Sequence, residues 1–178
     1  MSLDSDKYLS QRAFTIVELL IVIVVIGILA TITIVAYNGI QNRGHDSTMQ
    51  SDLTKSSRKM DLFAVDHNGL YPAVASDLIS LEIKVSAGSY AINPTVTRNF
   101  VYCPNTTFTE YTLLVKSKSG NAFIIRSNDK TIKPFSTTWD ATTTGSGLCA
   151  GLGGSYNSTN AAGYWTGQTP NWNVWTGV

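Results

Sequence analysis

The sequence predicts an α+β fold in which one long N-terminal helix packs on a C-terminal antiparallel β-sheet. Phe14 to Tyr37 form a run of 24 residues with one charged side chain, Glu18. Apolar residues then recur at helical spacing as far as Phe63. From Asn99 onward the pattern changes to the alternation that is typical of strands. Because strands that follow one long helix must cover its apolar stripe, the sheet is expected to lie on that helix.

The apolar run is long enough to cross a membrane. At 1.5 Å per residue, a helix of this length spans about 36 Å, whereas the hydrocarbon core of a bilayer is about 30 Å thick. The charge of Glu18 is unfavourable there, since a carboxylate in such a stretch costs about 2.5–3.5 kcal/mol on insertion scales. Protonation, a position near the interface or a partner cation must offset that cost. Glu18 is therefore the first candidate functional residue.

A short polar segment precedes the apolar run. It reads MSLDSDKYLSQRA and carries Lys7 and Arg12 before the small residue Ala13. A secretory signal has a core of about 7–15 apolar residues with its small-residue cleavage site after the core. Here the run is longer and the small residue comes before it. An uncleaved signal anchor remains the alternative, although it gives no reason for the presence of Glu18.

These features together resemble the N-terminal signature of the type IV pilin and pseudopilin family. In that family a leader ending in Gly or Ala precedes Phe, Thr and aliphatic residues, and Glu is the fifth residue of the mature chain. The run AFTIVE from Ala13 to Glu18 has this spacing. Ala13 stands where most relatives have Gly, and Val35 stands where many have a helix-bending Pro.

The resemblance implies a pilin-like fold and a defined set of functional residues. A prepilin peptidase would cut between Ala13 and Phe14 and methylate the new amine of Phe14. That amine would pair with Glu18 of an adjacent subunit, since either charge alone would remain buried and uncompensated. The helix macrodipole also favours an anion in the first turn, where Glu18 lies. Gly27 either lets a neighbouring helix approach or is an ordinary glycine of a membrane helix.

The resemblance also implies partners and a location. The expected partners are further copies of the chain in a helical filament, the prepilin peptidase, the pilus assembly platform and membrane lipid before assembly. The chain would lie in the bacterial cytoplasmic membrane as a single-pass protein and then at the cell surface, where pili serve adhesion and motility. A formal net charge of +1 argues against a dedicated nucleic-acid-binding protein and leaves contact with nucleic acid open.

The predicted organisation has five segments. They are the leader (1–13), the membrane and filament-core helix (14–37), the amphipathic second half of that helix (38–68), the globular α+β domain (69–136) and a tail (137–178). An apolar stripe predicted for the second half of the helix comprises Met49, Leu53, Met60 and Phe63. The opposite face, expected to be solvated, carries Asp52, Lys55, Arg58, Lys59 and Asp61. Asn68 and Gly69 are expected to end the helix.

The globular segment shows strand patterns separated by turns. A short helix is expected over residues 77–83 with Ser76 as its cap. Ser119 and Gly120 form the expected turn of a hairpin. Strands are expected at residues 99–103, 110–117, 121–127 and 130–136.

Two cysteines and four tryptophans bear on how the tail is held to the rest of the chain. Cys103 and Cys149 lie on the same side of the apolar run and are expected to form a disulfide if that side is extracellular. Two buried free thiols are the alternative. The tail has one charged residue, Asp140, in 42 residues. Most of its tryptophans are expected to be at least half buried, namely Trp139, Trp165, Trp172 and Trp175.

No nucleophile motif, phosphate-binding loop, cofactor motif or metal-ligand cluster is visible in the sequence, so catalysis is not expected. His45 and His67 have no companions at metal-ligand spacing. The leading hypothesis is a structural subunit of an extracellular type IV pilus, and a minor pilin or a type II secretion pseudopilin is a close alternative. A hypothesis of another class is a single-pass surface-binding module whose aromatic faces bind sugars, through Trp165, Trp172 and Trp175.

Overall fold

The fold comes from a computed structural model, in which the chain divides into two compact units, Met1–Ile40 and Gln41–Val178. The structure describes residues 14–90, 99–136, 139, 145–152 and 176–177. The leader, most of the tail and the sugar-binding candidates Trp165, Trp172 and Trp175 lie outside these ranges.

Helix α1 (Ile16–Asp66) is the longest element. All of its side chains in the first unit are exposed, including Ile16 at 84% and Leu29 at 57%. Among the described residues it is the one helix long and apolar enough to cross a membrane. So large an exposed apolar surface is stable in a cell only when lipid or other protein covers it.

In the second unit, α1 is amphipathic and buries the predicted stripe. Met49, Leu53 and Met60 are fully buried, and Phe63 is 9% exposed. The helix ends as expected at a left-handed turn, with positive φ values at Asn68 and Gly69. The Gly69 amide donates to the carbonyl of Ala64 at 2.7 Å, which satisfies one of the last helix carbonyls.

Among its described residues, the second unit also contains two short helices and two sheets. The short helices are α2 (Ala75–Ser80) and α3 (Gly145–Ala150). The strands are β1 (Val85–Ser86), β2 (Phe100–Pro104), β3 (Tyr111–Lys116), β4 (Ala122–Arg126), β5 (Lys133–Pro134) and β6 (Thr176–Gly177). Strands β2, β3, β4 and β5 form an antiparallel sheet in sequence order, and β1 pairs with β6 in parallel. The predicted α+β class, with a long helix packed on an antiparallel sheet, is confirmed.

Strand β3 is central and separates two apolar cores. Tyr111, Leu113 and Val115 point into the core between the sheet and α1, whereas Leu114 points into a second core on the other face. This division follows from the two-residue period of a strand. The second core contains the described residues Val101, Cys103, Leu114, Ile124, Trp139, Leu148, Cys149 and Leu152. Trp139 is 4% exposed. It is the one described member of the four tail tryptophans, most of which were predicted to be at least half buried.

The predicted disulfide is present, and it lies in the second core. Cys103 of β2 and Cys149 of α3 are bonded, with their Cα atoms 5.5 Å apart and both side chains fully buried. The bond closes a sequence separation of 46 residues. On the chain-entropy model a loop of this size contributes about 4 kcal/mol to stability.

The short helix begins and ends earlier than predicted. Val74, not Ser76, is the N-cap of α2. The Asp77 carboxylate accepts hydrogen bonds from the amides of Ala73 and Val74, at 3.1 and 3.3 Å, so the helix starts before the expected position. Glu82 has a φ of 45°, a left-handed conformation that excludes the predicted continuation to residue 83.

The prediction that Asp52 faces solvent is wrong. Asp52 is 2% exposed, and its carboxylate accepts hydrogen bonds from the Ser86 amide at 2.8 Å and from the Tyr90 hydroxyl at 3.4 Å. Asp52 is buried because β1 and the 3-10 turn that follows it, Ala87–Ser89, cover this side of α1. This segment was not predicted. Burial raises the pKa of Asp52 above its ordinary value, although the Ser86 amide and Lys55 act in the opposite direction.

Disulfide removal should destabilise the second unit. A Cys103→Ser, Cys149→Ser double variant is expected to lose about 4 kcal/mol of unfolding free energy, because its unfolded chain is no longer constrained. Urea unfolding of the full chain in detergent micelles, followed by tryptophan fluorescence, measures this loss. The chemically reduced wild-type chain is the matched control and should behave like the double variant. Equal midpoints for oxidised and reduced wild type would contradict the prediction.

The burial of Asp52 should make stability depend on pH. The folded pKa of Asp52 lies above the ordinary value of 3.8. Its contribution to the free energy of unfolding is therefore greatest below pH 3.8 and falls as the pH rises through the folded pKa. Asp52→Asn keeps an acceptor for the Ser86 amide but has no charge to bury. We expect the unfolding free energy of this variant, relative to wild type, to rise by on the order of 1 kcal/mol between acidic and neutral pH.

A second aspartate provides the control for this pH effect. Lys133 and Thr131 lower the pKa of Asp129 to about 2, and the Lys133 ammonium lies 2.5 Å from its carboxylate. The contribution of Asp129 to the free energy of unfolding therefore depends on pH in the opposite direction. It is present above the unfolded pKa and is lost as the pH falls. Asp129→Asn should consequently lose stability relative to wild type as the pH rises. The Asp52 interpretation fails if urea unfolding gives the same difference at both pH values for Asp52→Asn.

Candidate functional site

The predicted site residues Phe14 and Glu18 lie at the start of α1. The helix begins at Ile16, so Thr15 occupies the N-cap position and Glu18 the third helical position. The carbonyl of Thr15 accepts a hydrogen bond from the Leu19 amide at 3.3 Å, which is the first bond of the helix. Phe14 is 81% exposed. The other residue of the predicted cleavage site, Ala13, lies outside the described residues.

Thr15 and Glu18 form a reciprocal capping box. The Glu18 amide donates to Thr15 Oγ1 at 3.2 Å, while the Thr15 amide donates to Glu18 Oε2 at 2.8 Å. The Thr15 hydroxyl donates a further hydrogen bond to Glu18 Oε2, also at 2.8 Å. Two amides that a helix start leaves without partners are thereby satisfied. The carboxylate is held against its own helix.

This interaction was not among the predictions, although the sequence contains its signal. Thr15-Ile-Val-Glu18 fits the S/T-x-x-E capping pattern in front of an apolar run. The predicted sources of compensation for the Glu18 charge were protonation, the interface or a cation, and they did not include a backbone amide. Both bonds from Thr15 end on Oε2, and Oε1 has no hydrogen-bond partner among the residues that the structure describes.

Around this carboxylate the helix is apolar on every side. Val17 is 65% exposed, Leu20 55% and Ile21 55%. A helix that is hydrophobic all round must be enclosed by lipid or by other helices. The threonines within the run satisfy their hydroxyls internally, since Thr31 donates to the Gly27 carbonyl at 2.8 Å and Thr33 donates to an equivalent carbonyl one turn back.

Gly27 presents an open position on the same segment. A Cβ atom at this residue would meet nothing within 4 Å in the single chain. The space is compatible with close approach of another helix, and it is equally compatible with simple tolerance of glycine. The close-approach role of Gly27 remains a prediction.

The two histidines have packing roles. His45 Nδ1 lies 3.3 Å from Ser89 Oγ. The His67 ring stacks on Phe63 with centroids 3.7 Å apart, and its Nδ1 lies 2.8 Å from the Phe63 carbonyl oxygen. In the part of the chain that the structure describes, no group of three or more His, Cys, Asp or Glu residues is placed to hold a metal ion.

Comparison with known proteins identifies the N-terminal segment. Residues 9–34 match the family described as "Prokaryotic N-terminal methylation motif". This match includes the residues on both sides of the predicted cleavage point and the whole capping box. No solved structure matches the chain significantly.

Curated relatives point to the same class of protein. The chain is 31% identical over 83 residues to the type II secretion system core protein G of Klebsiella pneumoniae, covering 47% of this chain and 59% of the relative. It is 32% identical over 77 residues to the protein of the same name from Klebsiella michiganensis, covering 43% and 54%. For the Pectobacterium carotovorum protein the identity is 30% over 74 residues, covering 42% and 47%. The matches thus span about half the length of these relatives.

The motif, the relatives and the fold together support the type IV pilin and pseudopilin family for this chain, as the sequence resemblance predicts. The chain thus combines this N-terminal motif with a candidate membrane helix and a disulfide-linked globular unit.

Cleavage is expected between Ala13 and Phe14 and should leave N-methyl-Phe14 as the first residue. A bulky residue before the cut, as in Ala13→Trp, is expected to leave at least tenfold more precursor in the membrane fraction, whereas Ala13→Gly keeps a small residue and should be processed normally. N-terminal mass spectrometry of the membrane and sheared fractions checks both variants. A mature chain that starts at Met1 or at an internal residue other than Phe14 would refute the assignment.

Proposed function

We propose that this chain is a structural, non-catalytic subunit of an extracellular type IV pilus, processed by prepilin peptidase and polymerised through α1. The observation that carries the proposal is the Glu18 carboxylate, held in the first turn of α1, where the neighbouring side chains from Ile16 to Ile26 are all apolar and exposed. A surface of this kind suits a helix that passes from lipid into a bundle of identical helices.

The charge of Glu18 favours assembly over solitary insertion. After cleavage, the methylated amine of Phe14 is a cation close to the depth of Glu18 in the membrane. Pairing the amine with Glu18 of the adjacent subunit compensates two charges, whereas breaking a buried pair by removing one partner costs about 3–5 kcal/mol. Assembly thereby selects subunits that have been cleaved.

The globular unit suits an extracytoplasmic location. Its sheet separates two cores, and the disulfide between Cys103 and Cys149 fixes the second. Disulfides persist in oxidising compartments and are rare in the cytoplasm. A single-pass chain with this unit beyond the cytoplasmic membrane would place both cysteines where the bond is stable.

A pseudopilin of a type II secretion system is the second candidate. The observation that favours it is the similarity to type II secretion system core protein G in three bacteria. A minor pilin shares the same N-terminal chemistry. Deletion of the gene separates the candidates, since loss of surface filaments indicates a pilus subunit, and loss of protein secretion with filaments intact indicates a pseudopilin.

Removal of the Glu18 charge should block assembly without blocking insertion. Glu18→Ala is expected to remain in the membrane, because an unfavourable charge has been deleted, and to yield about 100-fold fewer sheared filaments, because the Phe14 amine loses its partner. Leu19→Ala is the matched control, since it shortens the neighbouring side chain and leaves the charge in place. Normal filament yield from Glu18→Ala, with the control also normal, would refute the pairing argument.

A further inference from the structure

A cleft lies beside the part of α1 with which the second unit begins. Its volume is about 780 Å³. Arg43 and Asp46 of α1 line it, and the sheet contributes Lys116. Phe123 and Phe135 are apolar members of the same lining. The cleft thus combines a few charged groups with apolar surface, which suits a small amphipathic ligand.

The charges that line this cleft sum to a positive value. There are two cations, Arg43 and Lys116, and one carboxylate, that of Asp46. The Lys116 ammonium donates to the carbonyl of Trp139, and Asp46 accepts from two side chains of the β3–β4 turn. Arg43 is exposed and forms no hydrogen bond or ion pair with the residues that the structure describes. Its guanidinium is therefore the group of the cleft that is available to an anion.

A second exposed cation lies near the cleft. Lys118 is in the β3–β4 turn, and the next residue, Ser119, donates to Asp46. The Lys118 amide also donates to the carbonyl of Ser89 at 2.9 Å. Because these bonds hold the turn against α1, Lys118 adds positive charge to the same region.

The position of Arg43 in the sequence brings it within reach of lipid phosphates. It is the first charged residue after Glu18, and six residues separate it from Tyr37, where the apolar run ends. Six residues of an α-helix span about 9 Å, and the headgroup layer extends roughly 5–8 Å beyond the hydrocarbon core. A long apolar stem lets an arginine side chain place its charge at that layer.

We propose that this cleft binds the headgroup of an anionic phospholipid and that Arg43 contacts the lipid phosphate. The inference rests on the membrane location that the proposed function includes, and it goes beyond that function because it gives the second unit a headgroup preference. A phospholipid is favoured over free phosphate as the ligand, since a chain anchored by α1 meets lipid phosphates at a high effective concentration.

The preference for an anionic lipid follows from charge. A guanidinium forms paired hydrogen bonds with the oxygens of a phosphate group. In phosphatidylcholine the lipid's own ammonium group already compensates the phosphate, whereas in phosphatidylglycerol the phosphate charge remains. One basic residue near an anionic membrane surface strengthens association about fivefold. Salt should weaken the preference, because exposed charges are screened.

The test measures lipid preference in the full chain, reconstituted in phosphatidylcholine bilayers. Electron paramagnetic resonance of spin-labelled phosphatidylglycerol and spin-labelled phosphatidylcholine gives the ratio of their association constants. Arg43→Gln should lower this ratio about fivefold, and Arg43→Lys, which keeps the charge, should stay within about twofold of wild type. Arg58→Gln is the matched control, since it removes the same charge from an exposed position of α1 that lies 21 residues after Tyr37. Its ratio should equal that of wild type.

The other possible occupants give different results. Equal ratios for wild type and Arg43→Gln would overturn the inference, as would an equal loss in Arg58→Gln, which would indicate a general effect of charge. Loss of the preference on adding inorganic phosphate at constant ionic strength would show that the cleft takes free phosphate. If Arg43→Gln keeps the lipid preference and yields fewer filaments, the cleft serves a second copy of the chain. The lipid ratio is measured on single chains, so failure of filament assembly leaves it unaffected.

Discussion

Compensation of the Glu18 charge is the constraint on which the N-terminal part of this chain depends. A carboxylate at the centre of an apolar membrane helix costs about 2.5–3.5 kcal/mol on insertion scales, which is an upper bound for Glu18 in the first turn of α1. The capping box with Thr15 returns typically about 1 kcal/mol. The single chain therefore offsets part of the cost through its own hydrogen bonds. In the proposed filament, a cationic partner would offset the rest of the cost, and a residue that is unfavourable in lipid would then favour assembly.

A related use of carboxylates recurs in the second unit, where three aspartates of α1 each fix a different loop. Asp46 accepts from Ser119 Oγ at 2.5 Å and from Asn121 Nδ2 at 2.7 Å, which holds the β3–β4 turn. Asp52 holds the segment of β1 through the Ser86 amide. The third contact, between Asp61 and Lys130 at 2.6 Å, lies at the turn that leads to β5. Apolar burial holds the sheet on α1, and these aspartate contacts hold the loops beside it.

The sequence predicted the parts of the fold in which one periodic pattern dominates. The apolar stripe of α1, the hairpin around Gly120 and the disulfide are all present in the structure. Prediction failed where a contact between distant segments decides. Asp52 has the local sequence of a solvated helix face, and its burial depends on Ser86, 34 residues away. The capping box at Thr15 is local and has a known sequence pattern. It was therefore predictable from the sequence, although it was not predicted.

The difference between these two kinds of feature explains what the comparisons detect. At the start of α1, a cap, a charge and an apolar surface must occur at fixed spacing, because each acts on the same helical turn. Few residue types satisfy all three, and residues 9–34 match a general prokaryotic motif. A core such as that around β3 accepts many combinations of apolar side chains that fill the same volume. Such a core therefore leaves no fixed residue pattern in the sequence. The helix start requires particular residue types at fixed positions, whereas the globular unit requires a filled apolar volume and its polar contacts.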